Sequence, residues 1–334
     1  MRFAVFGAGR MGARHIANVA AHEKAALAYV VDPDLERAKT LAGRYDAMAS
    51  ADPERALADP AVDAVIIASA TDTHVGLIIA AARAGKAILC EKPIDLDMAR
   101  VETCANAIAN RNTPIMIGFQ RRFDPTHKAV KQAVETGEIG KIEVISIVSR
   151  DPEPPPAAYI AVSGGQFHDQ MIHDFDMALW LSGAIGRIEV FAMAGNLVDP
   201  KIGEFGDSDT AQVLLRFESG AFCRIDCSRR CAYGYDQRVE VFGSKGMVSS
   251  GNLSQTAIER FTCSTTSARD RLLPDFMHRY SHTYAMELDA FIEGVASGTS
   301  LDPGFQSGRR ALQLADAARS SKERQIPVLV DVQG

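Results

Sequence analysis

The sequence predicts two α/β domains. Residues 1–120 form a doubly wound, parallel Rossmann-type sheet, and residues 121–334 form an α/β domain on a large, mostly antiparallel open sheet. Three observations predict this. Short apolar runs alternate with helical patterns through the first 120 residues. A glycine-rich turn joins the first run to the first helix. After Gln120 the apolar runs are separated by hairpin turns instead of helices.

In the first domain, residues 3–7, 26–31, 64–68, 87–90 and 115–118 read as strands, and residues 12–21, 35–45, 74–84 and 96–110 as helices. Strands joined through helices are parallel, and such crossovers are right-handed. The second domain opens with a helix at 125–136 and a strand at 142–149. Asp151-Pro152-Glu153-Pro154-Pro155-Pro156 follows. Proline fixes φ and removes a hydrogen-bond donor, so a surface loop is expected there. One helix spans 170–181. Strands at 187–194, 209–217, 221–228, 238–242 and 246–249 are punctuated by Glu218-Ser219-Gly220 and Gly243-Ser244-Lys245-Gly246, which makes their neighbours antiparallel. Helices at 280–297 and 304–322 close the chain, the last expected to pack back on the first domain.

Composition narrows the function classes. Of 334 residues, 47% are hydrophobic and 23% charged, with a net charge of −6. That balance suits a globular chain and argues against nucleic acid or an acidic membrane surface as partner. No apolar run is long enough to span a bilayer. The first strand begins at the N-terminus and leaves no room for a signal peptide, so the cytoplasm is expected. Six cysteines then read as reduced thiols. Cys223, Cys227 and Cys231 share one strand face rather than a metal, since the usual Cys-x2-Cys knuckle is missing.

Gly7-Ala8-Gly9-Arg10-Met11-Gly12 fits Gly-x-Gly-x-x-Gly between a strand and a helix. Gly7 permits the tight turn, Gly9 lets a pyrophosphate approach the backbone, and Gly12 lets helix and strand pack closely. The helix N-terminus offers free N–H groups and the positive end of its dipole. Asp32 ends the second strand, twenty residues after Gly12, where a carboxylate accepts hydrogen bonds from ribose hydroxyls. It would repel a 2′-phosphate, so NAD is expected rather than NADP. Arg37 stands near enough to offset that charge or to stack on adenine. Ala70, Thr71 and His74 follow the strand ending at Ala68, at the carboxyl edge where ligands bind. His74 reads first as a helix-capping or packing residue and second as a ligand contact.

Cys90-Glu91-Lys92-Pro93 ends a parallel strand at the same edge. Lysine is costly to bury there unless paired or functional. In the second domain, Gly164-Gly165-Gln166-Phe167-His168-Asp169-Gln170-Met171-Ile172-His173-Asp174-Phe175-Asp176 places Asp169 and His173 four apart, on one face if the segment is helical. The glycine pair lets backbone approach substrate or cofactor. Together with the glycine turn, these segments resemble the glucose–fructose oxidoreductase/inositol dehydrogenase superfamily over essentially the whole chain. The resemblance implies a catalytic set of Lys92, Asp169 and His173, with a cis proline after the lysine. Glu91, Lys92 and Arg121 complete the expected cofactor contacts.

These residue types suit oxidation of a secondary alcohol. His173 would take the hydroxyl proton, Lys92 would stabilise developing alkoxide charge, and Asp169 would orient substrate or tune its neighbours. His168, Asp169, His173, Asp174 and Asp176 could ligate a metal, but they share one short segment and the family works without one, so no metal is expected. Arg121-Arg122-Phe123-Asp124-Pro125, Gly137-Glu138-Ile139-Gly140 and Ser149-Arg150-Asp151-Pro152 resemble the bacterial inositol 2-dehydrogenase branch. The implied substrate is a polyol, myo-inositol, oxidised to the 2-keto inosose. Asp151, Tyr159, His168, Asp169, His173, Tyr233, Tyr235 and Asp236 are candidates for its hydroxyls, beside Lys92. His168 and Gln170 depart from the basic residue and methionine that flank the aspartate in that branch. Scyllo-inositol, an aldopyranose, a sugar-ketone reductase or a cofactor-binding sensor stay open. An open antiparallel sheet implies a homo-oligomer, and the resemblance implies a dimer or tetramer.

Overall fold

The computed structural model describes residues 1–333. The chain begins β1 (Arg2–Phe6), α1 (Arg10–Ala21), β2 (Ala26–Val31), α2 (Leu35–Ala42), β3 (Met48–Ser50), α3 (Pro53–Leu57), β4 (Ala64–Ile67), α4 (Thr71–Arg83), β5 (Ala87–Cys90), α5 (Met98–Ile108) and β6 (Ile115–Ile117). The six strands form one parallel sheet in the order β3-β2-β1-β4-β5-β6. Helices cover both faces of such a sheet, which is why β4 and β5 are unbroken apolar runs and fully buried. Strand order reverses between β1 and β4, and the carboxyl ends of these strands mark the crevice where ligands bind.

The chain continues with α6 (Pro125–Glu135), β7 (Ile142–Arg150), α7 (Ala157–Ser163), α8 (Gly165–Asp169), α9 (Ile172–Ser182), β8 (Gly186–Gly195), β9 (Thr210–Phe217), β10 (Phe222–Ser228), β11 (Asp236–Gly243) and β12 (Gly246–Ser250). It ends with β13 (Glu259–Arg260), β14 (Ala268–Arg269), α10 (Phe276–Arg279), α11 (Ser281–Ser297), α12 (Phe305–Arg324) and β15 (Val328–Val332). Seven strands form a sheet in the order β12-β11-β7-β10-β9-β8-β15. All pairs are antiparallel except β7–β10. Alternate residues of β9 and β10, Val213, Leu215, Cys223, Ile225 and Cys227, face the core; Leu214 and Phe222 face outward and are exposed. Cys223 and Cys227 share the inner face, and Cys231 is buried just beyond the strand end.

The chain divides into two compact units, and the division differs from a single cut at 120. The first holds residues 1–120 and 284–309; the second holds 121–283 and the described residues from 310 on. The helix that completes the first unit is therefore mainly α11, with only the opening of α12. Phe291 of α11 packs on Phe3 of β1 (6.1 Å between rings), and Asp289 pairs with His22, the residue after α1, at 2.8 Å. Most of α12 stays with the second unit.

Three further differences have local causes. The helix expected at 170–181 is α9, Ile172–Ser182, and a separate short helix, α8, precedes it, so the one helix face expected for Asp169 and His173 is broken. The Met171 N–H reaches back five residues to the Gln166 carbonyl (2.9 Å), so the ladder slips at Gln170, whose side chain donates to the Ser228 carbonyl (3.1 Å). Asp169 thus ends α8, and His173 is the second residue of α9. The short β3 and the β13–β14 pair are too brief to show a period. Finally, β15 adds an edge strand beside β8. No helix among the described residues is long and apolar enough to cross a membrane.

Candidate active site

The turn after β1 is built for a dinucleotide. Gly7 adopts φ +97°, and a Cβ there would strike the Ala68 backbone; a Cβ on Gly12 would strike the Gly7 carbonyl. At Gly9 a Cβ would meet nothing within 4 Å, so the space over that residue is open. α1 begins with no side-chain cap and no acidic residue in its first turn. The start of such a helix, with its dipole's positive end, favours an anion.

Asp32 is mostly buried. Its Oδ2 accepts from the Ala8 N–H (2.7 Å) and its Oδ1 from the Asp34 N–H (2.9 Å). An ionised carboxylate has about four lone-pair sites, so acceptor capacity remains for ribose hydroxyls. Arg37 is bound to Asp34 (3.1 Å) and lies 3.9 Å from Asp32, where it offsets charge without consuming the carboxylate. Replacing Asp32 by alanine is expected to weaken NAD binding by roughly 10–100-fold and to narrow the preference for NAD over NADP. Titration with both cofactors checks this, and an unchanged NAD dissociation constant would sink the assignment.

His74 is corrected. It does not face a cofactor: the ring is buried, with Nδ1 2.8 Å from the Pro93 carbonyl and Nε2 3.2 Å from the Ser69 carbonyl. Burial lowers its pKa, so it is a neutral brace between the loop after β4 and the proline after Lys92. Ala70 is the N-cap of α4 and Thr71 its first residue, at the expected edge. The Lys92–Pro93 bond is cis, as the resemblance implied.

Exposure singles out three polar side chains. From Lys86 to Asp95 every residue is buried except Lys92. From Gln166 to Leu179 every residue is buried except Asp169 and His173. Each of these three polar groups reaches solvent from a segment otherwise committed to the interior. In the second unit the Tyr159 hydroxyl donates to Asp169 Oδ1 at 2.8 Å. Withdrawal from water and the Asp169 carboxylate push Asp151 up to about 7, while Arg121 and Arg229 pull the other way.

Other expected contacts move. The Arg121 guanidinium is buried against Asp174 (2.6 Å) and Ser149 (3.3 Å), so its charge serves the second unit's interior and it is corrected as a cofactor contact. Tyr235 is buried with its ring edge-on to Tyr280 (6.1 Å), and burial raises its pKa well above the phenol range. Tyr233 and Asp236 bond each other at 2.7 Å within a network with Arg150 and Arg238. His168 is also corrected: its Nε2 lies 2.9 Å from Asp316 of α12 and the ring is buried, so it holds a helix and not a substrate.

The glycine pair has a different purpose from the one expected. Gly165 adopts φ +82°, and a Cβ there would lie 2.6 Å from Asp207 Oδ1, the atom that accepts the Gln166 N–H at 2.8 Å. Asp207 in turn pairs with the fully buried Arg229 at 3.1 Å. Thus Asp207 caps α8, the helix that ends in Asp169. Sequence reasoning missed Asp207 and Arg229, because a loop aspartate and an arginine 22 positions later leave no local pattern. It also missed the pairing of Arg121-Arg122 with Asp174 and Asp176, although two adjacent arginines and two nearby aspartates were visible. No group of three or more His, Cys, Asp or Glu among the described residues is placed to hold a metal ion.

Comparison with known proteins gives the family. Residues 1–119 match the oxidoreductase family with an NAD-binding Rossmann fold, and residues 127–249 match the GFO/IDH/MocA C-terminal domain. The chain belongs to the GFO/IDH/MocA oxidoreductase family. Within this family it is 44% identical over 331 residues to the inositol 2-dehydrogenase of Rhizobium meliloti, covering 98% of this chain and 99% of that one. A crystal structure of a myo-inositol dehydrogenase from Corynebacterium glutamicum superposes with a TM-score of 0.95 at 41% identity, covering 99% of each chain. A scyllo-inositol dehydrogenase from Lactobacillus casei, crystallised with NAD(H) and scyllo-inositol, superposes at 0.90 with 26% identity, covering 98% of each. As in other GFO/IDH/MocA members with this Rossmann domain, the cofactor is NAD, and the residues around Gly9 and Asp32 fit it.

Proposed function

We propose that this chain oxidises one secondary hydroxyl of a cyclitol, myo-inositol, to the ketone, with NAD as oxidant. The selective exposure of Lys92, Asp169 and His173 carries this reading. NAD, when bound, accepts the hydride from the carbinol carbon. The protein's part is the proton and the developing charge. His173 takes the hydroxyl proton, and Lys92 hydrogen-bonds the oxygen as it becomes a carbonyl. Asp169, aligned by Tyr159, orients the ring by accepting from a hydroxyl. Asp151 is a second hydroxyl contact, able to donate or accept near neutral pH.

The sequence and structural likeness to inositol dehydrogenases supports a cyclitol over an aldopyranose. The unusual His168 flank does not argue against it, since that ring is turned to Asp316. Scyllo-inositol is the second reading, favoured by the likeness to the scyllo-inositol dehydrogenase. A panel of myo-inositol, scyllo-inositol and aldopyranoses with NAD, followed by absorbance of the reduced cofactor, decides between them. The highest kcat/KM is expected for myo-inositol, and no reduction with any cyclitol would overturn the proposal. The outer face of the seven-stranded sheet exposes Met193, Leu214, Phe222, Phe242, Met247 and Leu329, and we assign that face to contact with further copies of the chain in a cytoplasmic homo-oligomer.

A further inference from the structure

Asp169 ends α8, a helix of five residues. A single turn fixes more dihedrals than it gains hydrogen bonds, so it does not hold its own shape. The peptide groups of Gln166 hold it. The Gln166 N–H donates to Asp207 Oδ1 at 2.8 Å. The Gln166 carbonyl accepts from Gln170 (3.1 Å) and Met171 (2.9 Å), the two residues that follow Asp169. The start and the end of the turn therefore meet at one residue, and Asp207 is its anchor outside the turn.

Asp207 is itself fixed. Its Oδ2 lies 3.1 Å from Nη1 of Arg229, whose side chain is 1% exposed. The Arg229 N–H donates to the Asp209 carbonyl at 2.8 Å. The Asp209 carboxylate accepts from the N–H groups of Leu197 (2.9 Å), Val198 (3.0 Å) and Asp199 (2.9 Å), so the loop that carries Asp207 is tied on both sides. Gly165 at φ +82° leaves the approach to α8 clear, since a Cβ there would lie 2.6 Å from Asp207 Oδ1. Tyr159, which holds the Asp169 side chain, is 40% exposed. The firm anchor of Asp169 is therefore on its backbone side.

We infer that Asp207, locked by Arg229, is a positioning residue: it sets the backbone of α8, and with it the place from which the Asp169 carboxylate meets the substrate. Asp207 acts through Asp169, and the inference rests on Asp169 being a substrate contact.

Two double variants differ in the cap alone. Asp207→Asn/Arg229→Met and Asp207→Ala/Arg229→Met both remove the buried ion pair, and only the first keeps an oxygen for the Gln166 N–H. With myo-inositol and NAD, kcat/KM of the alanine variant should be about tenfold or more below that of the asparagine variant, with the same NAD dissociation constant in both. Equal kcat/KM would overturn the positioning role. In an Asp169→Ala background the difference between the two should vanish, because the cap acts through that carboxylate. A difference that persists there is the mark of a generally loosened fold and would also overturn it. Amide hydrogen exchange reads the cap without activity: Gln170 and Met171 should exchange about tenfold faster in the alanine variant, and equal exchange would overturn the cap. Full kcat/KM in Asp169→Ala alone would sink the reading of Asp169, and the positioning role with it, while the exchange result stands. If neither double variant folds, Gly165→Ala, whose Cβ displaces the cap oxygen, takes their place with the same expected loss against wild type, and an unchanged kcat/KM overturns the proposal.

Discussion

Replacing His173 by alanine should lower kcat by about 10²–10⁴-fold while NAD affinity is preserved. His173 lies in the second unit, in a segment that is otherwise buried, and the dinucleotide turn lies in the first. Removing the imidazole takes away the proton acceptor and leaves the cofactor's own contacts in place. Single-turnover measurements with saturating NAD isolate the chemical step, and an unchanged kcat would refute the base assignment. The pH profile separates a second group. An imidazole accepts a proton only when neutral, and Asp151, pushed up to about 7, loses its own proton over the same range. As pH rises through that value, Asp151 becomes an acceptor only and adds charge beside Asp169. Asp151→Asn should remove this contribution to the KM profile while the general-base limb of kcat persists.

Arg121→Met should reduce the free energy of unfolding by about 3–5 kcal/mol, the usual cost of leaving one member of a buried ion pair without its partner. Arg121 and Asp174 are both almost wholly enclosed, 2.6 Å apart, and no other ion pair of Asp174 is found among the described residues. Burial already raises the Asp174 carboxyl against the pull of Arg121. Without the guanidinium, Asp174 must take up a proton or drive local opening. The double variant Arg121→Met/Asp174→Leu should recover most of the loss, because replacing both charges removes both desolvation penalties. Denaturant unfolding of the three variants measures this. A double variant no more stable than Arg121→Met would mean that Arg121 holds more than Asp174. By contrast, the exposed Lys39–Glu36 pair is worth about 0–1 kcal/mol, although its 2.8 Å contact is nearly as short.

The first unit's sheet was readable because its strands are fully covered and its glycine turn has a mechanism tied to each position. The segments of the proposed reacting groups were readable too: Lys92, Asp169 and His173 were picked out by motif, and they are the exposed residues of stretches that are otherwise buried. Contacts closed over long separations were hidden. His168 looked like a substrate residue because its partner, Asp316, is 148 positions away. The glycine pair looked like a ligand cradle because Asp207 lies in a loop 42 positions beyond Gly165. The break between α8 and α9 was invisible because Gln170 and Met171 are ordinary helix formers, and the slip comes from a side-chain bond to Ser228.

The route of the chain has a consequence for synthesis. The first 120 residues leave the ribosome long before residues 284–309, yet Phe3 and the fully buried Glu287 belong to one interior. A nascent sheet of β1 to β6 must therefore wait, with one flank uncovered, for more than 160 residues of the other unit to be made. Excising residues 1–120 as a stand-alone cofactor module should yield an aggregating fragment. Grafting residues 284–309 onto it through a short linker should yield a folded one.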